Sequence, residues 1–188
     1  MRIDILDYLQ EELRRRCEQP SNQFGMGLYD HIKAVVKNGA LLAERYGADK
    51  EIVMIAAWLH DIASVTDYSL YPEHHIYGAE MARSILSQWN YEPEKIALVQ
   101  NCIRCHRGSV PLARESIEEL CVADADAISH FDSLPSLLYL AFKTRNLGFK
   151  AGKEFVKEKL ERSFQKLSSQ SMDFYRNKYR QVMDILDG

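Results

Sequence analysis

Residues 51–61 read EIVMIAAWLHD, in which eight consecutive apolar side chains, Ile52 to Leu59, stop abruptly at His60 and Asp61. The run is too short to span a bilayer, which takes about 20 apolar residues, and it has no polar face, so it predicts a helix buried on most sides. Such a helix must be wrapped by others, and its tip delivers two side chains suited to a metal. A His-Asp pair by itself says little. What gives it weight is a set of partners that a fold could bring in: His31 upstream, then His75, His106 and Asp126 downstream.

The flanking sequence supplies the wrapping helices. Ile3, Leu6, Leu9 and Leu13 recur at helical spacing, and Pro20, Ser21, Asn22, Gly25 and Gly27 break the pattern. A second helix is predicted from Tyr29 to Tyr46, with Ile32, Val35, Val36, Leu42 and Ala43 inward and Gly47 as its stop. Asp49 then caps the central helix after so short a connection that the two helices must lie antiparallel. The start of one and the end of the other share one end of the pair, so the hairpin itself brings His31 to His60 and Asp61. Residues 63–73 read as loop. Further helices are predicted from His75 to Trp89, from Pro93 to near His106 before an Arg107-Gly108 break, and from a capping box formed by Ser116 and Glu119. Two or three more fill 134–186. With no strand alternation, the expected class is all-α, in a single domain over 1–188.

A chain of 188 residues with 46% hydrophobic and 27% charged residues has ordinary globular usage. The net charge of −3 offers no basic field for a long nucleic acid, so none is expected as partner. The N-terminal segment mixes acids into its apolar residues and lacks a leader's apolar core, which predicts a cytoplasmic protein with no membrane partner and with Cys17, Cys102, Cys105 and Cys121 reduced. Cys102-Ile103-Arg104-Cys105-His106 matches the C-x-x-C-H haem attachment pattern, but attachment needs export, for which no signal is read.

Imidazole and carboxylate together suit borderline divalent metals, which acidify water and polarise a phosphoryl oxygen, so phosphoester hydrolysis is the natural chemistry. His31, then His60-Asp61 closing an apolar helix, then Ala125-Asp126-Ala127-Ile128, resemble the H...HD...D set of the HD-domain superfamily of metal-dependent phosphohydrolases. His75-Ile76-Tyr77-Gly78-Ala79-Glu80 is similar to that family's H-x-x-G-A-E pattern, and His106 follows a helix as a later family histidine does. The resemblance covers 29–131 as the metal-site core, with 134–186 like the C-terminal helices of the smaller members.

The resemblance implies a helical bundle of the HD type. It further implies His31, His60, Asp61 and Asp126 as ligands of one ion (Mn, Fe, Co, Ni, Zn or Mg), and His75 and His106 either on a second ion bridged by Asp61 or facing substrate phosphate. Catalysis is then expected at Asp61, His75 and His106, on a nucleotide or other small phosphoester. Cys105-His106 stands where cyclic-dinucleotide phosphodiesterases of the family carry paired histidines, and their Gly-Tyr-Pro is missing, which disfavours that substrate. Asp124 and Asp126 lie about 200° apart on a helix and cannot both face the metal; periodicity favours Asp124 and the family pattern Asp126. Arg104 and Arg107 are candidate substrate contacts, Lys143 and Arg145 more distant ones, and the Lys/Arg/Glu run over 149–181 reads as an exposed face. His74 and His130, at unmatched positions, are expected on the surface. A non-catalytic metal- or nucleotide-binding sensor, or a di-iron oxygenase-type enzyme, could use the same residues.

Overall fold

The computed structural model describes residues 1–107 and 112–188. Gly108, part of the expected break after Arg107, lies outside the described residues. Among the described residues ten α-helices follow in order: α1 (Ile3–Cys17), α2 (Met26–Tyr46), α3 (Lys50–Leu59), α4 (Ile62–Thr66), α5 (His74–Gln88), α6 (Pro93–Cys105), α7 (Ile117–Asp132), α8 (Leu134–Tyr139), α9 (Phe149–Gln165) and α10 (Ser169–Asp187). A 3₁₀ segment, Tyr68–Glu73, joins α4 to α5, and a π-turn, Leu140–Thr144, extends α8. There is no strand among the described residues, so the chain is all-α.

The central run does form the buried helix. Ile52, Val53, Ile55, Ala56, Ala57 and Leu59 are at most 1% exposed. The Asp49 carboxylate starts α3 by accepting from the main-chain N–H of Glu51 (2.9 Å) and Ile52 (3.3 Å). Gly47 ends α2 in the left-handed region at φ 75°, its N–H on the Ala43 carbonyl. These two devices turn the chain back on itself within three residues, making the α2–α3 hairpin. Helix α7 packs against both members of the hairpin, and α5 against α6. One hydrophobic cluster runs from Ile5 of α1 to Val182 of α10.

Other predicted elements shift in instructive ways. Helix α2 begins at Met26, three residues earlier than the periodicity marks, and residues 63–73 are helical turns rather than loop. Both pieces are single turns whose stability comes from what they pack on, so they carry little periodic signal. Ile5 rather than Ile3 faces the core of α1; Ile3 is 54% exposed.

Candidate metal centre

Helices α2, α3, α5, α6 and α7 send their side chains to one end of the bundle. His31 enters from the first turns of α2, and its Nε2 lies 3.2 Å from Asp126 Oδ1 on α7. Across the hairpin its ring is 5.6 Å, centroid to centroid, from that of His60, the residue closing α3. Asp61 follows, Oδ2 3.4 Å from His60 Nε2 and Oδ1 3.4 Å from His74 Nε2. His106, the residue closing α6, brings its Nε2 to 3.2 Å from that of His74. His130 stacks on His31 at 4.9 Å, and its Nε2 is 3.9 Å from Asp126 Oδ1. Three sets among the described residues could hold an ion: His31, His60 and Asp61; His31, Asp126 and His130; Asp61, His74 and His106.

The tautomers follow from the other ring nitrogens. Nδ1 of His60 is 2.7 Å from the Ala57 carbonyl, Nδ1 of His74 2.8 Å from that of Tyr71, and Nδ1 of His106 2.6 Å from that of Ile103. Each nitrogen must donate there, which leaves Nε2 as a bare lone pair. In His130, Nδ1 donates to Ser163 Oγ (3.0 Å), whose own proton goes to the Lys159 carbonyl (2.8 Å). The His60 Nε2 is buried with no hydrogen-bond partner among the described residues, and the Nε2 atoms of His74 and His106 point lone pairs at each other. Buried lone pairs facing one another are repulsive unless a cation lies among them, so this donor set fits a divalent metal.

Charges at the site are strongly coupled. Burial pushes the Asp61 carboxyl up, but the imidazoles of His60, His74 and His106 outweigh it and hold the group well below the usual carboxylate range. Asp126 is likewise held well below by Lys166, His130 and His31 despite burial. Burial drives His106 and His130 well below the ordinary histidine value, with Lys159 adding to the effect at His130, so both are neutral at physiological pH, the form that ligates. Burial alone would lower His60, yet the facing Asp61 raises it.

Several expected placements are corrected. His74 and His130, expected on the surface, are both 7% exposed and aim inward. His75 is also buried, with Nδ1 unpartnered, but it does not line the cavity; its neighbour His74 is the one that meets Asp61 and His106. Arg104 turns away to pair with Glu80 at 2.9 Å, because it lies on the outer face of α6. Arg107 lines the cavity and donates to the Pro72 carbonyl. Arg145 stacks on the Phe155 ring. Asp124 points away from the cluster, accepting from the N–H (3.0 Å) and hydroxyl (2.5 Å) of Ser168 at the start of α10. Cys102 and Cys105 are packed in the core, closed to a covalently attached group.

The cluster forms one wall of a cavity of about 470 Å³, large enough for a nucleotide. Phe24 and Tyr71 supply aromatic wall, 5.1 Å apart, and Tyr71 stacks on His74 at 5.5 Å. The opposite wall is α9 with its C-cap: Lys159, Arg162, Ser163 and Lys166. Lys166 Nζ is 2.5 Å from Asp126 Oδ2 and 3.1 Å from the His106 carbonyl. The reading of 149–181 as an exposed face thus fails at Lys159, Ser163 and Lys166, and holds at Arg162. Lys159, Arg162 and Lys166 at helical spacing were the available signal, but the run's interspersed glutamates hid it.

An all-α bundle with histidines and aspartates gathered at the end of an apolar hairpin defines a class of metal-site domain. The HD domain family matches residues 28–130, more than half of the chain, and the chain belongs to that family. Ribonuclease Y of Clostridium kluyveri is 31% identical over 106 residues, 56% of this chain but 19% of that protein, and ribonuclease Y of Lactobacillus gasseri 35% identical over 106 residues, 56% and 18%. The chain therefore spans under a fifth of these curated relatives. Among solved structures, Bacillus subtilis YpgQ superposes with a TM-score of 0.73 at 15% identity, covering 98% of this chain and 93% of that one. Its complex with ADP superposes at 0.66 and 15%, covering 95% and 94%. A protein from an uncultured Thermotogales bacterium, described as a predicted HD superfamily hydrolase, gives 0.56 at 21% identity, covering 85% of each. At these identities the likeness is one of fold.

Proposed function

We propose that the chain is a metal-dependent phosphohydrolase acting on a nucleotide or comparably small phosphoester. The observation that carries this reading is the opposition across one cavity of bare imidazole lone pairs with two carboxylates on one wall, and basic side chains on the other. His31, His60, Asp61 and Asp126 would hold one divalent ion, with His74 and His106 beside Asp61 positioned for a second. A divalent cation there supplies Lewis acidity toward a phosphoryl oxygen and lowers the pKa of a water.

The protein's own groups divide the remaining work. Asp61, held well below the ordinary carboxylate range, is a poor proton acceptor and serves to orient the attacking water through hydrogen bonding. Lys166 occupies Oδ2 of Asp126, leaving Oδ1 turned toward the imidazoles. Arg107 lines the cavity beside His106 and would stabilise charge as it develops on the departing oxygens. Phe24 and Tyr71 offer flat apolar faces to a base. The fold shared with a YpgQ–ADP complex supports a nucleotide, while the net charge of −3 weighs against the long RNA that the name ribonuclease Y implies for those relatives.

The test is phosphate release from a panel of phosphomonoesters and nucleotides with Mn, Fe, Co, Ni, Zn and Mg, alongside metal analysis of protein purified without chelator. Turnover is expected in the parent, with bound metal and activity both lost in His60→Ala and Asp61→Ala. Thermal stabilisation by ADP with no phosphate released under any metal would replace this reading with a binding module.

A further inference from the structure

The cationic wall of the cavity sorts by partner. Lys166 is held by Asp126 and the His106 carbonyl. Arg107 is held by the Pro72 carbonyl. Arg162, at the rim, shares its charge with Glu158 at 3.4 Å. Lys159 differs from all three: its ammonium makes no hydrogen bond or ion pair among the described residues, although it lines the cavity and the residue is only partly exposed. Asp126, the nearest acid on the opposite wall, is already engaged by His31 and Lys166. A desolvated cation without a counter-charge is unfavourable, and folds retain one where a ligand brings the missing charge.

Position decides which charge. Residues 159, 162 and 166 share one face, and seven residues of helix span about 10 Å. Lys166 meets Asp126, Ser163 meets His130, and the α9 backbone carries Lys159 about two turns before Lys166, with Arg162 between them at the rim. That length exceeds a single phosphoryl group and suits a chain of two or three.

We propose that Lys159 and Arg162 form an anion subsite for a second phosphoryl group, covalently linked to the one that meets the His-Asp cluster, so that the preferred substrate is a di- or triphosphate rather than a phosphomonoester. This rests on the phosphohydrolase reading for its first group, but the subsite binds whether or not turnover follows. Arg104, taken up by Glu80, has no part in it.

The probes are methylenediphosphonate and methylphosphonate, titrated calorimetrically into the protein as purified, with metal content matched between variants. The parent should bind the diphosphonate at least tenfold more tightly. Lys159→Met should abolish that preference while raising the melting temperature, since an uncompensated charge is removed. Lys159→Arg should keep the preference, and the exposed Arg162→Ala should weaken it severalfold with an unchanged melting temperature. Equal binding of both probes by the parent, or full preference retained in Lys159→Met, overturns the subsite. The two readings fail separately: equal kcat/KM on nucleoside mono- and triphosphates removes the subsite and leaves the hydrolase. A strong diphosphonate preference with no phosphate release under any metal sustains the subsite and removes the hydrolase.

Discussion

Asp124 and Asp126 sit two residues apart on α7 and serve opposite ends of the structure. Asp126 meets imidazoles and Lys166; Asp124, wholly buried, ties down the start of α10 through Ser168. Asp126→Asn should therefore lower metal affinity by tenfold or more, read by metal analysis after dialysis, and lower the melting temperature as well because Lys166 loses its counter-charge. Asp124→Ala should leave metal content intact but cost about 1–3 kcal/mol, because the Ser168 N–H loses its acceptor in the interior; urea unfolding measures it. Hydrophobic periodicity points to Asp124 because nearly all of α7 from Cys121 onward is buried, so an apolar stripe no longer distinguishes the site face from the core face. The neighbours His74 and His75 present the same difficulty, both buried at the start of α5. Here His74→Ala should reduce bound metal and phosphate release together, whereas His75→Ala should leave metal content unchanged, a comparison made on the two purified variants side by side.

At the level of elements, the α2–α3 hairpin was legible because its signals are local: Gly47, Asp49 and an uninterrupted apolar run. The 3₁₀ segment that carries Tyr71 to the cavity was not, since it is placed by tertiary contacts with α4 and α5. The base of α3 has its own anchor. Glu51 accepts from the Arg2 main-chain N–H (2.6 Å), the Tyr91 hydroxyl (2.7 Å) and Lys95 (3.3 Å). Burial opposes its charge, but these donors prevail and bring the carboxyl to about 2 from an ordinary 4.5. A folded-state value below the unfolded one stabilises fully above about pH 4.5 and fades as pH falls toward 2. Glu51→Gln should thus lower stability by about 2 kcal/mol at pH 7, and the gap between variant and parent should close across that window, followed by urea titrations at stepped pH.

For the whole molecule, the sequence's all-α reading rests on helical periodicity that repeats in every long segment, which is why class was readable while the cavity's far wall was not. That wall depends on α9 folding back over α7, a long-range contact with no local signature. Interior packing also governs the thiols. Burial pushes Cys17, Cys105 and Cys121 up to about 12, and holds Cys102 well above the ordinary thiol value. Iodoacetamide at pH 8 should therefore label none of the four in the native protein and all of them in denaturant, counted by intact mass. No helix of the described residues is long and apolar enough to cross a membrane.

Three of the clustered histidines take their tautomer from a carbonyl three residues earlier in their own chain: Ala57, Tyr71 and Ile103. Their tautomer is thus set by main-chain geometry and not by a neighbouring side chain. Replacements at Lys159 or Arg162 on the α9 wall can then retune what enters the cavity without turning those three rings, whereas Ser163 and Lys166, which hold His130 and Asp126, tie specificity to metal capture.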